Sequence, residues 1–303
     1  MKCLVTGGAG FIGSNLALEL EKQGHEVVVV DTMLSGNKNN LDNFKGKIIE
    51  KDVSEPLELN EKFDVIFHEA AITDPRHPND EETYNKNIQG FKNIINLAQK
   101  NNVKLIYAST AGLYGNGPVP MKEGQEKETL SAYGKSKLEM DNIASKLFDK
   151  MYIIGLRYFN VFGPREAYKN RAASMAYHLG KQIKFNRKPR IFKFGEQIRD
   201  HIYVKDAVDA TIKAVDAKKS CIVNVGTGIG TTFNELVNVL NEVLEKDLKT
   251  EYFDMSYDPK TYQSNTQADT TKAENLIGFK AKWSLKEGIK DYFNFLDECG
   301  WEQ

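Results

Sequence analysis

A glycine-rich segment near the N-terminus constrains the fold more than any other part of the chain. Residues 6–13 read Thr-Gly-Gly-Ala-Gly-Phe-Ile-Gly and lie between a short apolar run and a helical pattern. The spacing Gly-x-x-Gly-x-x-Gly is a variant of the dinucleotide fingerprint, in which glycines let the backbone turn sharply and approach a pyrophosphate. We therefore expect a strand, a tight turn and a helix N-terminus that hold a dinucleotide, with contacts from Gly7, Gly10, Phe11, Ile12 and Gly13.

The first half of the chain alternates short apolar runs with helical patterns. The helical patterns cover residues 11–23 and 81–101, and the apolar runs predict strands at 2–6, 26–30, 47–50, 64–67, 104–108 and 152–156. Alternation without hairpin signals favours a parallel sheet with right-handed crossovers. The predicted fold class is α/β, a Rossmann-type doubly wound parallel sheet with a smaller α/β substrate-binding lobe.

The pattern loosens after about residue 160. We predict helices at 172–181, 207–215, 233–244 and 285–296, with short strands near 190–194 and 221–225. No linker separates the two halves, so we expect interleaved lobes. Residues 1–160 would form the NAD(P)-binding domain, to which the chain returns around 200–228, and residues 161–303 would form mainly the substrate-binding lobe.

Composition and charge exclude several classes of protein. The 303 residues carry a net charge of −1, which argues against a general nucleic-acid binder. Apolar runs fall far short of the roughly 20 residues of a membrane span, and the N-terminus does not resemble a signal peptide. Three scattered cysteines are typical of reduced thiols, so we expect a cytoplasmic protein. The five histidines show no ligand spacing, and we expect no metal.

Positive charge is concentrated in one stretch of the nearly neutral chain. Residues 157–199 contain eleven Lys or Arg against two acids, Glu166 and Glu196. One interpretation is a solvated basic face. The other is a pocket for an anionic ligand such as a diphosphate, which arginine can bind through paired hydrogen bonds.

A tyrosine and a lysine four residues apart are the main catalytic candidates. Tyr133 and Lys137 lie in the segment Ser-Ala-Tyr-Gly-Lys-Ser-Lys, residues 131–137, and on a helix this spacing puts them on one face. A tyrosine with a pKa of about 10 is a poor base at neutral pH. A fixed cation nearby favours the phenolate, so we expect Lys137 to lower the pKa of Tyr133. An exposed helical pair is the alternative.

Three further positions bear on the cofactor. Asp31 ends the second predicted strand, where a carboxylate would bind the adenosine ribose hydroxyls and favour NAD. Lys38 in the next loop could neutralise a 2′-phosphate and permit NADP, so both forms stay open. Asp52 and Val53, after the third strand, are candidates for contacts with the adenine; a strand-end acid without a ligand is the alternative reading of Asp52.

With these residues in place, the chain resembles the extended short-chain dehydrogenases/reductases. Residues 68–71, His-Glu-Ala-Ala, resemble the strand end that passes under the cofactor in that family, which implies cofactor contacts for Ala70 and Ala71. Residues 87–90, Asn-Ile-Gln-Gly, resemble its helix asparagine motif, which adds Asn87. Thr110, in Ala-Ser-Thr-Ala-Gly-Leu-Tyr-Gly (108–115), matches the catalytic Ser/Thr; a strand-end cap is the alternative.

Within that superfamily the chain is most similar to the ADP-glycero-manno-heptose 6-epimerases. The similarity is carried by residues 157–169, Arg-Tyr-Phe-Asn-Val-Phe-Gly-Pro-Arg-Glu-Ala-Tyr-Lys, and by segments 173–179, 194–200 and 266–269. It implies that Lys169 is a second acid/base residue, opposite Tyr133 across the sugar carbon. It also implies substrate contacts for Thr110, Asn160, Lys169, His178, Arg199, Tyr262 and Gln267. A solvated Lys169 and a core His178 are the alternatives.

The implied reaction inverts C6 of an ADP-heptose. Inversion of a carbinol without an acidic neighbouring proton requires removal of a hydride and its return to the other face. This implies tightly bound NADP or NAD, a nucleotide-diphosphate sugar as substrate and, as in many such enzymes, self-association. The alternative is a UDP-hexose 4-epimerase, for which Lys169 would be dispensable. A dehydratase would carry an Asp-Glu pair where Ala111 and Gly112 stand, and a non-catalytic nucleotide sensor commonly lacks the tyrosine or the lysine.

Overall fold

Strands and helices alternate along the chain in the computed structural model. The structure describes residues 1–59, 61–74, 77–127, 129, 131–255 and 262–301. In these residues the strands are β1 (Lys2–Thr6), β2 (Glu26–Asp31), β3 (Lys47–Glu50), β4 (Val65–His68), β5 (Lys104–Thr110), β6 (Ile153–Tyr158), β7 (Asn160–Phe162), β8 (Arg190–Phe192), β9 (Ile198–Arg199), β10 (His201–Tyr203), β11 (Cys221–Val225), β12 (Thr231–Thr232) and β13 (Glu251–Phe253). The α-helices are α1 (Phe11–Lys22), α2 (Asp80–Asn101), α3 (Ala132–Ser145), α4 (Met175–Lys184), α5 (Val204–Lys213), α6 (Phe233–Val243), α7 (Thr271–Ile277) and α8 (Leu285–Cys299).

Seven strands form one parallel sheet, in the spatial order β11-β6-β5-β4-β1-β2-β3. The direction of the order reverses between β1 and β4, where Thr6 pairs with His68. Ligands of open α/β sheets bind beside the carboxyl ends of the strands at such a reversal. The predicted doubly wound sheet is confirmed.

Helices cover both faces of this sheet. Because side chains alternate along a strand, Leu4 packs into the core under α2 and α3, whereas Val5 packs into the core on the opposite face. Burial on both faces explains why residues 27–30 are four consecutive buried valines. The sheet is therefore a rigid base that presents its loops at one edge.

A smaller lobe is built on the carboxyl edge. Its short strand pairs are β7 with β10, β8 with β13 and β9 with β12, and α4, α6 and α8 pack together. The chain returns to the main sheet at β11, which pairs with β6, and α5 packs against α1. The two lobes therefore share chain segments, whereas the numerical domain boundaries stay a prediction.

Most predicted elements agree with the structure to within a few residues, but α4 begins three residues later than predicted. The hydroxyl of Ser174 accepts a hydrogen bond from the Tyr177 N–H at 3.2 Å and caps the helix. Just before it, Ala167–Ala172 forms a 3₁₀ segment that bends at Asn170, where φ is 50°. The sequence pattern does not predict α7 or the short strands β7, β9, β10, β12 and β13.

One buried carboxylate joins the two lobes and provides a test of stability. Asp200 is fully buried, and its oxygens accept hydrogen bonds from the Thr227 N–H (2.8 Å) and hydroxyl (2.7 Å), the Gly228 N–H (2.9 Å) and the Ala268 N–H (3.0 Å). Asp200→Ala leaves these buried donors unpaired, so we expect a loss of about 3 kcal/mol in the free energy of unfolding. Urea denaturation measures it, with Asp254→Ala, at an exposed acid, as control. Equal unfolding midpoints in the two variants would contradict the role of Asp200.

Candidate active site

The glycine loop between β1 and α1 is packed so tightly that side chains do not fit. A Cβ on Gly13 would lie 2.1 Å from the Gly7 carbonyl oxygen, and a Cβ on Gly7, where φ is +69°, would lie 2.6 Å from the Ala70 nitrogen. Gly10 is the N-cap of α1 and has no side chain to cap the first backbone N–H groups. Those groups and the positive end of the helix dipole suit a pyrophosphate. The residues present therefore fit a dinucleotide cofactor.

Gly13→Ala is expected to abolish retention of the dinucleotide. The added methyl group meets backbone on the loop side, which cannot move aside as a flexible side chain would. Gly24→Ala, at the other end of α1, is the control, because Gly24 has a left-handed φ of +81° but open space around it. The control should lose about 1 kcal/mol of stability and keep its cofactor. The absorbance of cofactor released on denaturation measures cofactor retention in the two variants. Full retention by Gly13→Ala would refute the assignment of the loop.

Asp31 lies beside this loop, as the sequence predicts. Its carboxylate accepts hydrogen bonds from the Ala9 N–H (2.9 Å) and the Met33 N–H (2.8 Å) and is 8% exposed. Each carboxylate oxygen has two lone pairs, so these bonds leave capacity for ribose hydroxyls. Lys38 is exposed at the start of the 3₁₀ segment Lys38–Leu41. Both positions suit the adenosine end of a dinucleotide.

The two candidates after β3 have different surroundings. The carboxylate of Asp52 lies 3.3 Å from the Lys86 ammonium and accepts a hydrogen bond from the Ser54 N–H at 2.8 Å. Val53 is partly buried against the core under α2, and a Cβ on Gly90 would lie 2.9 Å from it. Val53 has an apolar side chain that could contact an adenine, whereas Asp52 is already paired with Lys86.

The loop after β4 is connected to α3 through Asn87. The Asn87 amide exchanges hydrogen bonds with the backbone of Ile72 (2.8 and 3.1 Å) and donates one to the Ser136 hydroxyl at 3.0 Å. Asn87 therefore connects the loop of Ala70 and Ala71 to α3. The cofactor contact expected of Asn87 stays a prediction.

Tyr133, Lys137 and Thr110 converge at the carboxyl end of β5. The Thr110 hydroxyl forms a hydrogen bond with the Tyr133 phenol, and the Lys137 ammonium lies 5.9 Å from the centre of the Tyr133 ring. The ammonium donates a hydrogen bond to the Ala108 carbonyl at 2.7 Å, which fixes it to β5. Helical spacing brings Tyr133 and Lys137 together, and the end of β5 brings Thr110 to them.

The pKa of Tyr133 is shifted upward, whereas its neighbour Lys137 led us to expect a downward shift. Burial raises the pKa of Tyr133 to about 12; the Thr110 hydrogen bond opposes this rise and the Glu69 charge adds to it. Burial lowers the pKa of Lys137 to about 8, against the charges of Glu69 and Asp141. Desolvation outweighs charge attraction here, and the sequence does not show it.

Lys169 reaches the glycine loop from the smaller lobe. Its ammonium lies 5.3 Å from the centre of the Phe11 ring, at the first residue of α1. Burial lowers the pKa of Lys169, and the charge of Glu166 opposes this shift. Glu166 is held by the Gly163 N–H (3.1 Å) and by the Ser174 N–H (2.6 Å) and hydroxyl (2.8 Å). A desolvated amine in this position can exchange a proton.

The remaining substrate candidates line the smaller lobe. The Asn160 amide donates hydrogen bonds to the Thr266 hydroxyl (2.8 Å) and the Asp200 carbonyl (3.2 Å). The Arg199 guanidinium lies 5.2 Å from the centre of the Tyr262 ring and 5.7 Å from that of Phe233, and it donates to two backbone carbonyls at 2.9 Å. These contacts hold the Arg199 charge near the rings of Tyr262 and Phe233.

Two other candidates are held less directly. The Gln267 amide donates a hydrogen bond to the Gly228 carbonyl at 2.8 Å, which places this residue by the Asp200 cluster. His178 is half-buried on α4, with its ring 5.6 Å from that of Tyr177.

Arg157, at the start of the basic stretch, is not available to bind an anionic ligand. It is 3% exposed and bonds the Asp141 carboxylate through Nε (2.9 Å) and Nη2 (2.8 Å), the Tyr114 hydroxyl at 2.9 Å, and Glu126. Its charge is therefore neutralised in the core. The interpretation of residues 157–199 as one anion pocket is too broad, because only part of the stretch faces the site.

Two carboxylates near the proposed catalytic groups were not predicted. Glu69 and Glu166 stand inside segments that carry the family resemblance, at His-Glu-Ala-Ala and Arg-Glu-Ala-Tyr-Lys. Their charges act on Lys137 and Lys169 respectively. The signal available in the sequence was an acid shortly after a strand, directly after β4 for Glu69 and four residues after β7 for Glu166, and pattern alone does not separate such an acid from a solvated residue.

The described part of the chain shows neither a membrane-spanning helix nor a metal-binding cluster. No helix there is long and apolar enough to cross a bilayer. No group of three or more His, Cys, Asp or Glu side chains there is arranged to hold a metal ion.

Comparison with known proteins agrees with this geometry. Residues 3–226 match the model of the NAD dependent epimerase/dehydratase family. The chain is 35% identical to an ADP-L-glycero-D-manno-heptose-6-epimerase of Brachyspira hyodysenteriae, over 98% of each chain. The crystal structure of Helicobacter pylori ADP-L-glycero-D-manno-heptose-6-epimerase superimposes with a TM-score of 0.91 and 37% identity, covering 98% of this chain and 96% of that one. A UDP-glucose 4-epimerase of Thermotoga maritima, crystallised with UDP-glucose, has a TM-score of 0.89 and 28% identity over 99% of both chains.

Proposed function

This chain belongs to the NAD dependent epimerase/dehydratase family, and we propose that it inverts C6 of an ADP-linked heptose. The predicted resemblance to extended short-chain dehydrogenases/reductases is confirmed by the family match. Two heptose-epimerase relatives at 35% and 37% identity support the substrate. The reaction would oxidise the C6 carbinol and reduce the resulting ketone from its other face.

The observation that carries the proposal is the position of Lys169. A 4-epimerase needs one proton-transfer group, because the sugar turns over in front of it. Here a second desolvated amine, from a different lobe, lies at the first residue of α1. Two groups on separate elements can address opposite faces of one carbon.

Each residue of the site would then transfer a proton or orient a reacting group. NAD supplies the hydride acceptor when bound. Tyr133 takes the proton of the C6 hydroxyl, and Thr110 aligns that hydroxyl through the hydrogen bond it shares with the phenol. Lys137 places a positive charge 5.9 Å from the centre of the Tyr133 ring. Lys169 gives or takes the proton when the opposite face of the ketone is presented.

The diphosphate end of the substrate would lie in the smaller lobe. We propose that Arg199 and His178 bind the negatively charged diphosphate. The Arg199 guanidinium is held in place by two backbone carbonyls and two aromatic rings. Asn160 would hold the sugar near the cofactor, with Tyr262 and Gln267 lining the sugar end. These roles follow the residues of the family resemblance and remain proposals.

The alternative is a UDP-hexose 4-epimerase. The likeness to the Thermotoga maritima 4-epimerase over 99% of both chains favours it. The two functions differ in which carbon is inverted and in their need for Lys169.

Nuclear magnetic resonance of the sugar distinguishes the two. The pure protein is incubated with ADP-D-glycero-D-manno-heptose and, separately, with UDP-galactose, and the configurations at C6 and C4 are followed. We expect inversion at C6 only. Turnover at C4 with none at C6 would overturn the proposal and establish the alternative.

The form of the cofactor is settled by releasing it. Asp31 favours NAD, in agreement with the family description, and Lys38 leaves room for NADP. Cofactor freed by denaturation and assayed with NAD-specific and NADP-specific dehydrogenases identifies it directly. We propose tight binding, because the net reaction regenerates the cofactor in each turnover.

A further inference from the structure

One carboxylate closes the loop that carries Lys169. The Glu166 carboxylate accepts hydrogen bonds from the Gly163 N–H (3.1 Å) and the Ser174 N–H (2.6 Å). The Glu166 backbone carbonyl accepts another from the Lys169 N–H at 2.9 Å. The loop of residues 163–174 is therefore a compact unit, so a contact that holds its first residues also holds Lys169.

Two residues of this loop have a backbone conformation that residues with a side chain rarely adopt. The φ angle is 71° at Arg165 and 50° at Asn170, on either side of Lys169. Left-handed angles cost free energy in a residue with a Cβ, so they persist where surrounding contacts impose them. At Arg165 those contacts come from α1 and from the segment that follows β2.

Asn15 joins the loop to the first turn of α1. Its side-chain amide donates hydrogen bonds to the carbonyls of Phe11 and Pro164, both at 2.9 Å. Its side-chain oxygen accepts a hydrogen bond from the Arg165 guanidinium at 3.3 Å. Phe11 is also the residue whose ring centre lies 5.3 Å from the Lys169 ammonium. One side chain thus contacts both the Lys169 loop and the residue beside which Lys169 lies.

Arg165 attaches the same loop at a second point. Its Nε donates a hydrogen bond to the Asn40 carbonyl at 3.0 Å, and its guanidinium lies 5.3 Å from the centre of the Phe295 ring. Asn40 is 2% exposed, and its amide donates to the Ala9 carbonyl in the glycine loop at 3.0 Å. Arg165 is therefore connected to the glycine loop through a buried residue.

We propose that Asn15 and Arg165 form a clasp, and that this clasp positions Lys169 at the first turn of α1, beside the glycine loop. The role in the reaction rests on the proposed epimerase function, because it requires that Lys169 exchanges a proton with the sugar. The placement of Lys169 does not rest on it, because it concerns contacts within the chain. The competing explanation is that the two side chains only stabilise the fold and that Lys169 keeps its place without them.

Asn15→Leu opens the clasp with little change in side-chain volume. Leucine favours a helix, but it can neither donate to the Pro164 carbonyl nor accept from Arg165. Lys169 is then free to move away from Phe11, and a misplacement of about 1 Å can slow catalysis roughly a hundredfold. We expect kcat for C6 inversion to fall by roughly ten- to a hundredfold. The KM for the ADP-heptose should not change, because the clasp does not contact the residues proposed to bind the diphosphate.

Asn101→Leu is the matched control. The Asn101 amide donates the same kind of bond as that of Asn15, to the carbonyl four residues earlier, Leu97, at 2.9 Å, but it lies on α2. This variant should keep the wild-type kcat. An equal loss in Asn101→Leu and Asn15→Leu would mean that the rate responds to any lost helix contact, and the proposal would be wrong.

The Lys169→Met background shows whether the clasp acts through Lys169. Residues that act through one another give non-additive effects in a double-mutant cycle. Asn15→Leu should therefore cause no further loss in Lys169→Met, whose slow turnover is followed over hours at high enzyme concentration. Equal losses with and without Lys169 would mean that Asn15 acts by another route, such as the cofactor, and would overturn the proposal.

The position of Lys169 is measured without substrate. Protein as purified is labelled with ¹³C at the lysine Cε and in the phenylalanine ring, and the two resonances are assigned from Lys169→Arg and Phe11→Leu. Because the ammonium lies 5.3 Å from the ring centre, we expect a nuclear Overhauser contact between the Lys169 Cε protons and the Phe11 ring. The contact should remain in Asn101→Leu and disappear in Asn15→Leu.

The outcomes of this measurement separate the clasp from the reaction. A contact of wild-type strength in Asn15→Leu overturns the proposal, and so does the absence of the contact in the wild-type protein. A contact that is lost in Asn15→Leu, in a protein that epimerises no sugar, would instead refute the proposed function alone.

A second variant covers the case in which Asn15→Leu does not fold. Arg165→Met leaves α1 unchanged and keeps a flexible stem beside Phe295, but it removes the bonds to Asn15 and to the Asn40 carbonyl. The Overhauser contact of Lys169 should weaken in this variant. An Arg165→Met protein that keeps the contact at wild-type strength would contradict the proposal.

Discussion

Tyr133→Phe is expected to lower the rate of C6 inversion by about a thousandfold. Phenylalanine keeps the ring but removes the group that exchanges the hydroxyl proton, and general acid–base catalysis contributes roughly 10² to 10⁴. Initial rates followed by nuclear magnetic resonance measure the loss, which corresponds to about 4 kcal/mol of barrier. The bound cofactor should remain, because the glycine loop is untouched.

The matched control for this variant is Tyr252→Phe. Tyr252 is 43% exposed in the smaller lobe, and its hydroxyl bonds Asn234, far along the chain from the proposed chemistry. It should keep the wild-type rate. A Tyr133→Phe enzyme that works within tenfold of wild type would mean that another group moves the proton.

Lys169→Met is expected to cause a loss of similar size. Methionine matches the length of the lysine stem and can keep the packing against Phe11, but it carries no proton to exchange. We expect about a thousandfold slower inversion, retained cofactor and an unchanged unfolding temperature. Turnover assays on the ADP-heptose measure the rate, the absorbance of released cofactor measures retention, and a thermal melt measures the unfolding temperature.

Lys188→Met controls for the general loss of one positive charge. Lys188 is exposed in the same basic stretch, so its replacement should leave the rate unchanged. Full activity of Lys169→Met would remove the second proton-transfer group and make the 4-epimerase mechanism the better account.

Much of the sheet could be predicted because strands buried on both faces consist of consecutive apolar residues. Residues 2–6 and 221–225 match their observed strands residue for residue. β13 was not predicted, because it is three residues long and is stabilised by pairing with β8, a contact remote in sequence. The start of α4 was misplaced because Ala172 and Ala173 favour a helix, whereas Ser174 ends up as its cap.

The site was predictable in composition but not in electrostatics. Helical spacing placed Tyr133 and Lys137 together, and the carboxyl end of β5 brought Thr110 to them. The pKa of Tyr133 went the opposite way from the prediction, because burial depends on the whole fold. Arg157 was counted among the cations that could bind an anionic ligand, because its burial also depends on the whole fold. Its partner Asp141 lies on α3, sixteen residues earlier.

The hydride transfer at C6 is tested most directly by isotope retention. An ADP-heptose carrying deuterium at C6 is epimerised in ordinary water, and the product is examined by nuclear magnetic resonance and mass spectrometry. Because a hydride held by a bound nicotinamide does not exchange with solvent, we predict an inverted C6 that keeps its deuterium. Inversion with loss of deuterium to water would contradict oxidation and return of one hydride at that carbon.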